Sequence, residues 1–226
     1  MLRLTKVSIT NYRSINNLVL EMPQLDGKNA LFLFGINESG KSNLLKALSL
    51  LDRNSSAMKN FNYDRDCRKA AKRKNPSVEI KYYFRFDSED EISEIFNIPK
   101  SLTKRVNLCA IKTITYEYSK GREEYWSIIN NASPNYNGYL YNSRINHIEE
   151  ADAGSGPKDD YKKLDAGDLE NILKIHTHKL DEIRNILPKV IFWKASPEYL
   201  INQAIDLNTY NFNTFLHYIL SCLVVY

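Results

Sequence analysis

Eight consecutive residues, Gly35-Ile36-Asn37-Glu38-Ser39-Gly40-Lys41-Ser42, match the spacing G-x-x-x-x-G-K-[ST] at every required position. Each residue type in that pattern has one task. Glycines and small polar residues let the backbone turn tightly and aim N–H groups at phosphate oxygens, Lys41 adds a cation for the outer phosphates, and Ser42 offers a hydroxyl to magnesium. The chemistry is the capture of a triphosphate together with Mg2+. Such a loop works where a strand delivers it and a helix leaves it, because the helix N-terminus adds a positive partial charge of its own. Both flanks are present: Ala30-Leu31-Phe32-Leu33-Phe34 predicts a short buried strand, and Asn43 to Leu51 carries leucines at helical spacing.

The 226 residues, 43% of them hydrophobic, suffice for one large domain or two small ones with a core. Thirty-one basic and 27 acidic residues leave a formal charge of +4. That balance is too mild to mark the whole chain as a nucleic-acid binder, so any basic surface has to be local. Cys67, Cys109 and Cys222 are far apart and odd in number, which fits neither a disulfide framework nor a zinc cluster and points to a reducing cytoplasm. The opening Met1-Leu2-Arg3-Leu4-Thr5-Lys6 has no apolar signal-peptide core, and no stretch reaches the ~18 apolar residues of a membrane span. No membrane association is expected.

Upstream of the loop, Leu2, Leu4, Val7 and Ile9 alternate imperfectly with polar residues, and Leu18-Val19-Leu20 follows the polar stretch Thr10 to Asn17. This predicts two strands ahead of the phosphate-loop strand. In nucleoside kinases and small GTPases the loop usually follows the first strand, and the guanine-reading element N-K-x-D is absent here.

With that strand pair in place, Lys6-Val7-Ser8-Ile9-Thr10-Asn11-Tyr12-Arg13-Ser14-Ile15, an apolar strand, and then Phe34 to Leu48 resemble the N-terminal lobe of the RecF/SMC/OLD branch of ABC-type ATPases. The resemblance runs from the start of the chain to the end of the helix after the loop. It implies an α/β fold, a P-loop NTPase with a mixed sheet and a preceding antiparallel strand pair, and ATP with Mg2+ as cofactors. It also implies a partner across the nucleotide, either a second copy (a homodimer) or a second lobe. The work of such proteins is on DNA, in repair, chromosome organisation or defence against phage, with a nuclease as a further candidate partner. By the same resemblance the N-[FY]-[RK]-S segment lies beside the nucleotide, so Arg13 is a candidate phosphate or ribose contact; an exposed turn arginine is the plainer alternative. The nucleotide-binding set is then Arg13, Gly35, Asn37, Glu38, Ser39, Gly40, Lys41, Ser42 and Asn43, with Ser42 at the metal. Asn37 and Asn43 match the family loop. Glu38 stands where SMC members usually carry glycine, although OLD-like members tolerate Glu, and a carboxylate there must point away from the phosphates or be offset by magnesium.

Beyond the helix, Arg65, Arg68, Lys69, Lys72, Arg73 and Lys74 place six cations within ten residues against one acid, Asp66. A solvated face is the favoured reading and a contact to DNA phosphates the sharper one. Val78, Ile80, Tyr82, Phe84 and Phe86 alternate as a half-buried strand, Ser88 with Glu91 predicts a capped helix to Phe96 stopped by Pro99, and Ile111–Tyr118 with Glu124–Ile129 predicts a hairpin. Tyr136, Tyr139 and Tyr141 either offer stacking faces to bases or pack on a sheet edge. From Glu149 to Asp168 there are seven acids and three glycines, the composition of a flexible linker or insertion. Leu169 to Leu187 recurs at helical spacing up to Pro188, with His176 on its apolar side and His178 off it, which argues against a two-histidine metal site. Lys189-Val190-Ile191-Phe192-Trp193 predicts a further buried strand.

Hydrolysis in this family requires an apolar strand ending in Asp-Glu, with the Asp for magnesium and the Glu to orient water. No such strand is found: Val190–Trp193 runs into Lys194-Ala195, and Asp90-Glu91 and Asp181-Glu182 lie in polar, helical surroundings. Tyr118-Ser119-Lys120-Gly121 begins like the ABC signature but lacks the helix that should follow, and Gln203 has no assignable role. The expected organisation is a nucleotide-binding lobe with a β-rich subdomain over residues 1–148, the acidic linker over 149–168, and a helix-strand-helix segment over 169–226 leading to a second lobe carried elsewhere. An ATP-sensing regulatory or scaffold subunit without hydrolysis of its own is the alternative to an ATPase lobe. A structural subunit whose loop no longer binds nucleotide is the third.

Overall fold

The computed structural model describes residues 2–25, 28–29, 40–52, 55–69, 76–151 and 160–182. In chain order these form β1 (Leu2–Tyr12), β2 (Ile15–Glu21), the two-residue strands β3 (Gln24–Leu25) and β4 (Lys28–Asn29), α1 (Lys41–Ser49), α2 (Ser56–Lys59), α3 (Tyr63–Asp66), β5 (Val78–Phe86), α4 (Glu89–Phe96) and α5 (Lys100–Thr103). Then come β6 (Leu108–Glu117), β7 (Gly121–Asn130), β8 (Tyr139–Asn142), β9 (His147–Glu150), β10 (Tyr161–Lys163), α6 (Ala166–His176) and α7 (Lys179–Glu182). One five-stranded sheet has the order β2-β1-β5-β6-β7, and a three-stranded sheet has β8 between β10 and β9.

The strand pair expected ahead of the phosphate loop is the β1–β2 hairpin. In β1 the buried positions shift by one residue, from Leu2 and Leu4 to Val7 and Ile9. A period-2 pattern changes face when one residue is added to it, which is why the alternation reads as imperfect in the sequence. β5 keeps strict alternation, with Val78, Ile80, Tyr82, Phe84 and Phe86 buried. β6 is buried on consecutive residues from Ala110 to Ile114, as a strand with neighbours on both sides and cover on both faces should be.

The chain divides into two compact units. Among described residues the first takes 2–6, 81–115, 122–151 and 160–182. Its core includes Phe84, Phe96, Leu102, Ile114, Ile148, Leu169 and Ile172, each fully or nearly fully removed from water, and burial of each such side chain contributes about 1.5–3 kcal/mol. Phe86 meets Phe96 edge-on at 5.7 Å. Ser88 caps α4 by accepting from the Glu91 N–H. The helix ends at Phe96 because Asn97 turns left-handed at φ 53°, and Pro99 then opens the separate turn α5, so Pro99 is not the stop expected of it.

Two further corrections fall in this unit. Both ends of the acidic stretch 149–168 are structured: Glu149 and Glu150 close β9, Tyr161–Lys163 pair with β8, and Asp165 forms a capping box with Asp168 at the start of α6. Only 152–159 of that stretch lies outside the described residues. The helix expected to run from Leu169 to Leu187 breaks after His176 and restarts as α7 at Lys179, with Thr177 Oγ1 donating to Leu173 O at 2.7 Å; residues 183–187 lie outside the description. The tyrosines resolve differently from one another. Tyr139 and Tyr141 are buried on β8, as the sheet-packing alternative requires, and Tyr136 is half-buried before it.

This unit also buries a lysine among acids. Lys112, 4% exposed in mid-β6, pairs with Glu124 at 3.1 Å and with Asp181 of α7 at 3.3 Å, while Trp126 Nε1 donates to the same Asp181 oxygen at 3.1 Å. Glu124 is also paired with Arg122. Among the described residues no helix is long and apolar enough to cross a membrane, and no group of three His, Cys, Asp or Glu could hold a metal ion.

The second unit takes the described residues 7–25, 28–29, 40–52, 55–69, 76–80 and 116–121. Its core includes Val7, Ile9 and Tyr12 of β1, Leu44, Ala47 and Leu48 of α1, and Val78 and Ile80 of β5. The i, i+3, i+4 spacing of Leu44, Ala47 and Leu48 is what turns one side of α1 inward and leaves its first turn to face outward.

Candidate nucleotide site

The site is assembled in the second unit from three short pieces. The first is the turn between β1 and β2, Asn11-Tyr12-Arg13-Ser14. Asn11 and Arg13 both sit at positive φ, 56° and 50°, a conformation that costs a non-glycine residue of order 1 kcal/mol and persists only where neighbours enforce it. The second piece, residues 62–69, does the enforcing. Arg13 N–H donates to Asp66 O at 2.7 Å, Arg68 N–H donates to Asn11 O at 2.8 Å, and Tyr12 bridges to Cys67. Asn11 Nδ2 adds a bond to Ser77 O at 3.2 Å.

The third piece is the start of α1. Gly40 is its N-cap at φ 95°, with no side-chain cap. Glycine suits that position because the backbone is left-handed, and a Cβ would also lie 3.3 Å from Ser14 Oγ, a tight contact. Lys41 follows, half-buried, then exposed Ser42 and half-buried Asn43. Asn43 faces the turn: its Nδ2 donates to Ser14 Oγ at 2.8 Å, and Arg13 Nη1 reaches its Oδ1 at 3.4 Å.

At the centre lies a carboxylate that the sequence reading passed over. Asp66 is 1% exposed. Its Oδ1 holds Arg13 Nη2 at 2.5 Å and Arg65 Nε at 3.1 Å, and its Oδ2 holds Arg65 Nη2 at 2.7 Å and the Asn62 N–H at 2.9 Å. Burial pushes this carboxyl up, but the bonds from Arg65 and Asn62 and the charges of Arg13 and Arg65 outweigh it and hold the pKa below the usual carboxylate range. The available signal was Asp66 itself, the lone acid in a run of cations.

Together these pieces line an open cleft of about 490 Å3, walled by Arg13, Ser14, Asn43, Arg65, Cys67, Arg68 and Lys69. Four cations and no carboxylate face it among the described residues. Arg13 Nε is buried there without a hydrogen-bond partner. Cationic guanidinium groups beside a helix N-terminus left without a side-chain cap are a donor set suited to phosphate oxygens.

Of the expected site residues, then, Arg13, Gly40 and Asn43 come together, and Lys41 and Ser42 occupy the first turn of α1 next to them. Gly35, Asn37, Glu38 and Ser39 lie outside the described residues, as do the strand Ala30–Phe34 and Lys72, Arg73 and Lys74 of the basic run. His176 is half-buried, and His178 is exposed with its Nδ1 against Ile175 O.

Fold and motif define a P-loop ATPase of mixed α/β architecture. A family model described as AAA ATPase domain matches residues 2–214, and the chain belongs to that family. It is a nucleotide-binding ATPase domain. No curated protein matches the chain. Among solved structures it is similar to "Structure of the recombination mediator protein RecF-ATP in RecFOR pathway", at 15% identity and a TM-score of 0.36, over 59% of this chain and 28% of that one.

Proposed function

We propose that this chain is the ATP-binding lobe of an ABC-type ATPase, with Arg13, Gly35, Asn37, Glu38, Ser39, Gly40, Lys41, Ser42 and Asn43 around the nucleotide. One observation carries the reading: the Arg13-Ser14 turn is hydrogen-bonded to Asn43, two residues after the Lys41 of the G-x-x-x-x-G-K-S motif. In this arrangement Lys41 and Arg13 supply positive charge to the phosphates. Ser42, exposed on the first turn of α1, would offer its hydroxyl to hold magnesium, whose charge would offset that of the phosphates.

Titration of the chain with fluorescent ATP and Mg2+ tests this, using Lys41→Ala as the control. Saturable binding that the variant loses is the expected result, and equal binding by both would overturn the assignment. The chain alone is expected to turn ATP over no faster than Lys41→Ala. No carboxylate lines the cleft among the described residues, and both oxygens of Asp66 are committed to Arg13, Arg65 and the Asn62 N–H. Phosphoryl transfer is catalysed almost entirely by positioning and charge stabilisation, and nothing here orients the attacking water among the described residues, so hydrolysis should require an Asp-Glu strand supplied in cis or in trans.

For the whole protein, the resemblance to the RecF/SMC/OLD branch supports work on DNA, in processing, repair or anti-phage defence, with a second copy or second lobe across the nucleotide and a nuclease as a candidate associate. Free Cys67 and Cys109 are in keeping with a reducing cytoplasm. Retention of ATP without turnover even after a second lobe is added would favour the ATP-sensing subunit instead.

A further inference from the structure

We infer that Asp66 is a positioning residue of the nucleotide site, which aims the Arg13 guanidinium at the cleft and lends it to nucleotide phosphate. This rests on the nucleotide-binding reading above and adds a residue that the phosphate-loop motif does not contain.

The geometry separates aiming from mere cohesion. Asp66 touches Arg13 twice, through its carboxylate at Nη2 and through its backbone carbonyl at the Arg13 N–H. Both the side chain and the left-handed backbone of Arg13 are therefore held from one residue. On its other flank the guanidinium meets Asn43 Oδ1, in the first turn of α1. A guanidinium gripped at one nitrogen by a 2%-exposed carboxylate and steered at another toward α1 cannot swing into solvent as a free turn arginine would. Asp66 is in turn immobilised by Arg65 and by the Asn62 N–H, so its own position is over-determined. A cohesive role alone would not need an arginine with a buried, unpartnered Nε lining an open cleft.

Charge and positioning call for opposite results, and that makes the idea testable. Asp66→Asn removes a negative charge beside an anion site, so electrostatics alone would tighten ATP binding. Positioning requires it to weaken. The experiment is a double-mutant cycle on the full chain with fluorescent ATP and Mg2+: parent, Asp66→Asn, Arg13→Gln and the double variant, each first shown by melting to be folded. Asp66→Asn is expected to weaken binding about tenfold in the parent and to change little once Arg13 is already Gln, the signature of two residues acting as a unit.

Tightened or unchanged binding in Asp66→Asn, or the same loss with and without Arg13, would overturn the inference. If Asp66→Asn does not fold, Asp66→Glu takes its place in the cycle. Its charge is kept but one methylene is added in a packed site, which displaces the guanidinium; an Arg13-dependent loss supports the role and unchanged affinity sinks it. Should parent and Lys41→Ala bind alike, the nucleotide reading itself falls. Lys41-dependent binding with no Asp66–Arg13 coupling removes only this inference.

Discussion

Asn43 donates from Nδ2 to Ser14 Oγ at 2.8 Å, a bond across 29 residues that ties the turn after β1 to the first turn of α1. Ser14→Ala removes the acceptor and leaves the amide without it. Since the pair is exposed to water, the stability loss should be small, about 0.5–1.5 kcal/mol by urea denaturation. The loss of ATP affinity should be several-fold, because the turn carrying Arg13 is held to the helix by one bond fewer. Unchanged affinity would show that this turn does not help to shape the site.

Two glycines allow strain and crowding to be told apart. Gly40→Ala meets both a left-handed φ of 95° and Ser14 Oγ at 3.3 Å, whereas Gly138→Ala meets a left-handed φ of 88° and nothing within 4 Å. Left-handed backbone costs an alanine about 1–2 kcal/mol. Gly138→Ala should lose about that much, and Gly40→Ala should lose more and bind ATP more weakly. Equal losses in chemical denaturation would mean that the Ser14 approach carries no penalty.

Arg68 and Lys69 line the same cleft as Arg13 and Asn43. Arg68→Gln with Lys69→Gln should therefore lower ATP affinity and steepen its loss with added salt less than in the parent. If instead DNA binding falls, with its log-log salt slope reduced by about one per lost phosphate contact, these two cations face nucleic acid. No change in either titration returns them to a solvated face.

Lys112 and its acids differ in exposure, and so should their variants. Glu124 has a side chain 12% exposed and Asp181 one 54% exposed. Lys112→Met takes an ion-pair partner from buried Glu124 and should cost about 3–5 kcal/mol. Asp181→Asn removes a half-exposed acid and leaves Lys112 its pair with Glu124, so it should cost less, under about 1 kcal/mol. Thermal denaturation of the two variants side by side measures the difference, and a reversed order would contradict the burial.

His176 gives the chain a pH dependence of defined sign. Burial lowers its pKa, and the charges of Lys179 and His178 lower it further; both ring nitrogens are buried without partners. The unfolded chain therefore binds the proton more tightly than the folded one. The neutral ring's contribution to stability is complete above the ordinary value of 6.5 and is lost as pH falls through the lower folded value. Urea denaturation at about pH 8 and about pH 5 should show a smaller acid loss in His176→Leu than in the parent. Parallel pH profiles would mean that the ring is solvated.

Elements whose signal is local were legible in the sequence. The strict alternation of β5, the Ser88 cap of α4 and the β6–β7 hairpin all depend on neighbours a few residues apart, and they stand where the residues put them. Two readings failed, one to a nearer residue and one to a distant strand. Pro99 reads as a stop, but Asn97 had already turned the chain. The acidic composition of 149–168 reads as a linker, but Tyr161–Lys163 find hydrogen-bonding partners in β8, about twenty residues upstream.

The same division runs through the site. Gly40, Lys41, Ser42 and Asn43 belong to a contiguous motif, so residue type and spacing alone determine the phosphate chemistry they imply. The place of Arg13 beside them could be inferred only by resemblance. The role of Asp66 could not be read at all, because a carboxylate among cations looks the same on paper whether it is solvated or buried. Tertiary structure decided it: the bond from the Arg13 N–H and the bridge from Tyr12 to Cys67 carry Asp66 out of water. Once there, an acid must be paired, and the arginines that pair with it become fixed in turn.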